Sequence, residues 1–229
     1  MRKIFVILIC LVLICSFASC ENSVKFSETE NKTIVASDGT EYTFVGFEGS
    51  VACFGEWKFI GHVKGEQKTF YHLGDSIKTG MYSVRDSEDV LIRYFPNNEF
   101  SGIYVKSELL NTEITLDRCI RFVLLKYSEF YNKDTVIPQK GVAECQQFLN
   151  EIKSGQTAEE AGLYDLVKQP DGMFKNCYAY GYICGVIQED LNLVIPLKVW
   201  SFDDKAYSIV IDGVEYVLPE EWIHKFTVE

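Results

Sequence analysis

The sequence predicts an α+β protein, predominantly antiparallel β-sheet with two helices in its C-terminal half. Three observations predict it: apolar residues alternate at a period of two through most of the chain, Asp-Gly pairs punctuate those runs, and helical spacing takes over only between 142 and 170. Asp38-Gly39 stands between short β-prone runs, and such a pair favours a two-residue hairpin turn because both residues tolerate positive φ. Val51 to Val63 adds strand-like sequence around Trp57. Met81 to Arg85, Val90 to Phe95 and Gly102 to Lys106 are spaced as a β-meander, separated by Asp86-Ser87-Glu88 and Pro96-Asn97-Asn98. Cys119 to Tyr127 is nearly all apolar and is expected to lie centrally in a sheet.

The period then changes. Val142, Cys145, Phe148, Leu149 and Ile152 recur at helical spacing, and Gly155 stands where a C-terminal cap belongs. Thr157 with Glu160 fits a capping box for a second helix, ended by Pro170 and Asp171-Gly172. Asn176 to Ile187 reads as a long strand with Tyr178, Tyr180 and Tyr182 on one face. Small residues, among them Gly181 and Gly185, occupy the other, where a helix backbone could approach closely. Asn192 to Trp200 follows, and Pro196, lacking an N–H, marks an edge or a bulge. The last hairpin turns at Asp212-Gly213, which pairs Ile211 with Val214, Ile209 with Tyr216 and Tyr207 with Leu218 on one face.

The first twenty residues, MRKIFVILICLVLICSFASC, follow a different grammar. Arg2 and Lys3 form a positive start, Ile4 to Cys15 an apolar middle, and Phe17-Ala18-Ser19 a small-residue approach to a cut. The apolar run is short for a bilayer whose hydrocarbon core is about 30 Å thick. At Phe17 to Cys20 the chain resembles the lipobox of bacterial lipoproteins, although Phe17 replaces the usual Leu. The resemblance implies a signal peptide over 1–19, lipidation of Cys20 and an extracytoplasmic body held to the cell membrane by acyl chains such as palmitate. Each buried methylene is worth about 0.8 kcal/mol, so several chains make a stable anchor. Together with a β-rich, tyrosine-rich body, the lipobox resembles lipoproteins of Gram-positive anaerobes, a likeness that carries no activity.

The expected organisation is therefore a signal peptide at 1–19, a polar flexible tether at 20–32, a β-rich lobe at 33–110 and an α+β lobe at 111–229. With 22 basic and 33 acidic residues the formal net charge is −11, and losing Arg2 and Lys3 with the leader lowers it to −13. Such a surface repels phosphate backbones and excludes nucleic acid as a partner. Of eight cysteines, Cys10 and Cys15 lie in the leader and Cys20 is the lipidation residue. Cys53, Cys119, Cys145, Cys177 and Cys184 remain, without a C-x-x-C pair, and read as buried thiols. Cys177 and Cys184, seven apart on one strand, are expected to point to opposite faces.

Few residues point to chemistry. No cofactor motif is present, and His62 and His72, ten apart, have no neighbour at metal-ligand spacing. Asp203-Asp204 and Glu220-Glu221 read as solvated turns. Gly74-Asp75-Ser76 is similar to the nucleophile block of the GDSL esterases and lipases. That resemblance implies Ser76 as nucleophile and Glu221-Trp222-Ile223-His224 in place of the family's D-x-x-H, with His224 as base. Three functions follow. The first is a non-catalytic binding module in which Tyr178, Tyr180 and Tyr182 stack on a glycan or protein ligand. The others are a tethered esterase using Ser76 and His224, and a solute-binding lipoprotein, for which the chain is short and lacks βαβ rhythm.

Overall fold

The structure, a computed structural model, describes residues 24–30, 32–66, 69–72, 75–94, 101–132, 134–170 and 173–227. The expected signal peptide over 1–19 and the expected lipidation residue Cys20 lie outside the described residues. Among the described residues fifteen strands follow in chain order. In the first half they are β1 (Val24–Glu28), β2 (Ile34–Ala36), β3 (Glu41–Phe47), β4 (Ala52–Cys53), β5 (Trp57–Val63), β6 (Thr69–His72), β7 (Asp75–Lys78), β8 (Gly80–Val84), β9 (Ser87–Tyr94) and β10 (Gly102–Lys106). The second half adds β11 (Arg121–Lys126), β12 (Cys177–Gln188), β13 (Leu193–Phe202), β14 (Ala206–Ile211) and β15 (Val214–Leu218). The helices are α1 (Tyr127–Phe130), α2 (Cys145–Ser154) and α3 (Glu220–Thr227).

Seven of these strands close on themselves, in the order β1-β2-β3-β10-β9-β8-β5. The expected antiparallel sheet is therefore in part a barrel, which removes the exposed edges that an open sheet would leave. The β8-β9-β10 meander forms as expected. Closure comes from β1, which pairs antiparallel with β2 and parallel with β5. Polar sequence over 20–32 gives no hint of this, and the expectation of a flexible tether is corrected for 24–28. Phe26, at every-other spacing with exposed Lys25 and Ser27, is 2% exposed and packs edge-on against Tyr42. At Asp38-Gly39 the hairpin closes with one residue more than expected. The Ala36 N–H bonds Thr40 O, Gly39 takes φ 91°, and Asp38 accepts from the Thr40 N–H at 2.9 Å.

The second sheet runs β11-β12-β13-β14-β15, with β4 paired to the start of β13. β11 is thus an edge strand, not a central one. Its apolar composition still makes sense: Phe122 and Val123 face opposite sides and are both buried, and Val142 bridges Phe122 along the outer edge. The last hairpin has the expected register, Tyr207 with Leu218, Ile209 with Tyr216 and Ile211 with Val214.

α2 forms as read, burying Cys145, Phe148, Leu149 and Ile152, while Val142 joins a β-bridge instead. The second expected helix does not form. Its capping box does: the Thr157 N–H bonds Glu160 Oε2 at 2.9 Å, and the Glu160 N–H bonds Thr157 Oγ1 at 3.2 Å. The adjoining backbone, however, pairs with β15 through Ala158 N–H to Glu215 O and Val217 N–H to Gln156 O. Gly162 then turns left-handed at φ 64°, leaving only a 3-10 turn at Leu163–Leu166. The second helix of useful length is α3, announced by Pro219 and two acidic residues in its first turn.

One apolar core joins the two sheets. Val84, Val90, Ile92, Ile103 and Val105 from the outer face of the barrel belong with Phe122, Ile183, Leu197, Phe148 and Trp222. Trp222 is 1% exposed, meets Phe148 edge-on at 4.9 Å and donates its indole N–H to Glu151 at 3.0 Å.

Candidate functional site

The tyrosine row is broken by its own strand. Pairing of β12 with β13 runs Tyr178 with Ser201 and Ala179 with Trp200, then resumes at Gly181 with Val199 and Tyr182 with Lys198. Tyr180 is the extra residue of a β-bulge, and one extra residue transfers everything after it to the opposite face. Tyr178, 43% exposed, hydrogen-bonds Asp204, and Tyr180 packs edge-on against Tyr207 at 5.2 Å. Tyr182 lies on the other face, 9% exposed and stacked on Phe130 at 3.9 Å. The three rings make no common platform.

Two further expectations are corrected, the first by the same shift. Cys177 opposes Phe202 and Cys184 opposes Pro196, so the two thiols share a face but stay far apart along the strand. No helix backbone uses the small positions: a Cβ on Gly181 would meet Leu125 O at 2.2 Å, and one on Gly185 would meet Cys119 Sγ at 2.3 Å. All five cysteines are free.

Where Tyr182 points, a hollow of about 850 Å3 opens between the two sheets. The segment joining β3 to β5 supplies one wall, with Glu48, Phe54, Glu56 and Trp57. Another comes from the end of α1, where the Tyr131 and Tyr182 hydroxyls are 2.7 Å apart. Pro196, Lys198 and Val210 form the floor, and Ile92 and Ile103 line it from the barrel. Burial raises the Tyr182 phenol well above its ordinary range, with the Tyr131 hydroxyl adding to the shift. Glu48 is exposed as a residue, yet desolvation raises its carboxyl, opposed by a hydrogen bond from Ser101. The Cys53 thiol is pushed up to about 12 by burial, against the opposing pull of Arg85, and so stays protonated and unreactive. Lys198 holds its ammonium 4.0 Å from the Trp200 ring centre. An aromatic wall, a hydroxyl pair and carboxylates suit recognition of a ligand with an apolar body and hydrogen-bonding or cationic groups.

The other sequence-singled residues lie elsewhere. Ser76 sits in β7 opposite Tyr71 of β6, and its side chain is outside the described residues. His224 lies on α3, 3.5 Å from Glu220 of the same helix. His62 Nδ1 meets Thr79 O at 2.9 Å, and the side chain of His72 is outside the described residues. Among the described residues no three His, Cys, Asp or Glu side chains are grouped to hold a metal ion. Nor is any described helix long and apolar enough to cross a membrane. Asp203 and Asp204, at φ 56° and 55°, form the turn from β13 to β14.

Comparison with protein-family models, curated proteins and solved structures gave no match.

Proposed function

We propose that this chain is a lipoprotein that works outside the bacterial cell, held to the membrane by acyl chains on Cys20, and that it acts by binding rather than by catalysis. The leader supports the tether: a charged start, an apolar middle and small residues before Cys20. The single observation behind the binding reading is the hollow, in which Phe54, Trp57, Phe130 and Tyr131 stand over Pro196 and Lys198 with Glu48 at the mouth. Of the three tyrosines only Tyr182 takes part, through its hydrogen bond to Tyr131. The ligand is a glycan or a protein, and the chain's net charge of −11 disfavours nucleic acid.

Two measurements test this. Mass spectrometry of the native protein should find a lipid-modified N-terminal Cys20, and an intact Met1 would overturn the tether. Glycan and peptide arrays probed with the full chain should give ligands whose binding falls at least tenfold in Trp57→Ala. Unchanged binding for every ligand found would overturn the assignment of the hollow.

A further inference from the structure

The hollow occupies a gap in a sheet. β12 pairs with β13 along nearly its whole length on one side. On the other side β4 pairs with Leu193 and Val194, and β14 takes over from Val199 to Phe202. Between them, among the described pairings, Ile195, Pro196, Leu197 and Lys198 have no strand partner. At about 3.3 Å per residue this open edge is roughly 13 Å long. Pro196 and Lys198 from this edge line the hollow together with Val210 of β14, Ala52 and Cys53 of β4, and Ile92 of the barrel. The empty volume therefore lies at the level of the sheet, where a strand between β4 and β14 would run.

The sequence of the edge agrees. Successive residues of an antiparallel strand turn their main-chain polar groups to alternate sides, and proline is tolerated where its missing N–H would face an unpaired side. With Pro196 facing the gap, Lys198 faces it too. The Pro196 carbonyl and the Lys198 N–H and carbonyl are then the groups available to an incoming strand.

We propose that the gap is a docking slot for an extended, basic segment of a partner polypeptide, which adds as a short strand beside Ile195–Lys198. This rests on the binding reading above. Main-chain bonds to β13 supply the register, and the aromatic wall of Phe54, Trp57 and Tyr131 receives an apolar side chain. Charge decides the class of peptide. Glu48 and Glu56 line the slot, the chain as a whole carries −11, and the ammonium of Lys198 is turned onto Trp200. A Lys or Arg beside the apolar residue meets this surface, whereas an acidic peptide is repelled.

The test uses the full chain in detergent and three fluorescently labelled heptapeptides read by anisotropy: alternating Val and Lys, the same peptide N-methylated at alternate residues, and alternating Val and Glu. The Val/Lys peptide is expected to bind, N-methylation to weaken it at least tenfold, and the Val/Glu peptide to bind at least tenfold more weakly. Glu48→Gln, checked by circular dichroism for an unchanged fold, is expected to weaken the Val/Lys peptide threefold or more. Equal binding of the N-methylated peptide overturns strand addition. So does a concentration-dependent dimer that the peptide does not dissociate, because a second copy would then fill the slot. If glycans bind and are lost in Trp57→Ala while the Val/Lys peptide does not bind, strand docking falls and the binding reading stands. If no arrayed ligand and no peptide depends on Trp57, both fall.

Discussion

Arg93 holds the strand that closes the barrel, and removing it should loosen that closure measurably. Its side chain is 6% exposed and donates to Glu28 at 2.9 Å, to Glu66 and to the Tyr104 hydroxyl at 3.2 Å. Glu28 ends β1, so the ion cluster ties this strand to β9 in the barrel wall. Arg93→Met keeps most of the volume and deletes the charge. Breaking a fully buried pair costs about 3 to 5 kcal/mol, but Glu28 and Glu66 keep 39% and 26% of their side-chain exposure and can rehydrate. The lower end of that range, about 3 kcal/mol including the donor lost to Tyr104, is expected. For a chain of this size that corresponds to a melting temperature lower by roughly 6 to 12 °C at pH 7.

The pH dependence carries a sign. The Arg93 hydrogen bond holds the Glu28 carboxyl below its ordinary value. A carboxyl depressed in the folded state contributes stability above its unfolded pKa, near 4.5, and loses it as pH falls through the folded value. The gap between wild type and Arg93→Met should therefore be widest at neutral pH and narrow below about pH 4.5. Thermal unfolding followed by far-UV circular dichroism at several pH values measures both. A variant that melts within 1 °C of wild type, or a gap independent of pH, would refute the account.

Gly185→Ala places a methyl 2.3 Å from Cys119 Sγ and 2.8 Å from a Phe122 ring carbon, so about 1 to 3 kcal/mol of stability should be lost. Cys119→Ala in the same chain should restore part of it, and strictly additive urea midpoints would show that the sulfur is not the obstacle. Phe148→Ala, at a fully buried ring touching Phe122, Trp222 and Phe226, should cost about 3 to 5 kcal/mol by urea denaturation. Thiol labelling should follow burial and thiol acidity: half-buried Cys177 reacts before Cys53, which is half-buried too but has its thiol pushed up to about 12, and Cys184, at 0% exposure, reacts only on unfolding. A Cys177→Ser chain that keeps the fast labelling phase would contradict that order.

How much could be read in advance depended on how local the signal was. Asp212-Gly213 between two alternating runs specified a register that tertiary contacts only completed, because a one-residue slip would turn Ile209 and Ile211 into water. The i, i+3, i+4, i+7 stripe of Cys145, Phe148, Leu149 and Ile152 was equally local. α3 is legible too, since Pro219 and two acids precede Trp222, although the acidic pair Glu220-Glu221 taken alone reads as a solvated turn. The Thr157 capping box specifies a hydrogen-bond pattern but not a helix: competition from the β15 edge decided the outcome, and Thr157 bridges Tyr216, 59 positions further along the chain.

The sequence by itself determined the β-rich character, the meander, the last hairpin and the helix over 145–154, because each follows from residue spacing within a dozen positions. Only the tertiary structure decided that 24–28 closes a barrel, that a bulge at Tyr180 splits the tyrosines between two faces, and that residues between 48 and 210 surround one gap beside β13. The physical reason is common to all three. A strand's partner, and so the side on which its residues emerge, is set by which other strand satisfies its main-chain hydrogen bonds, and no periodicity within the strand records that choice.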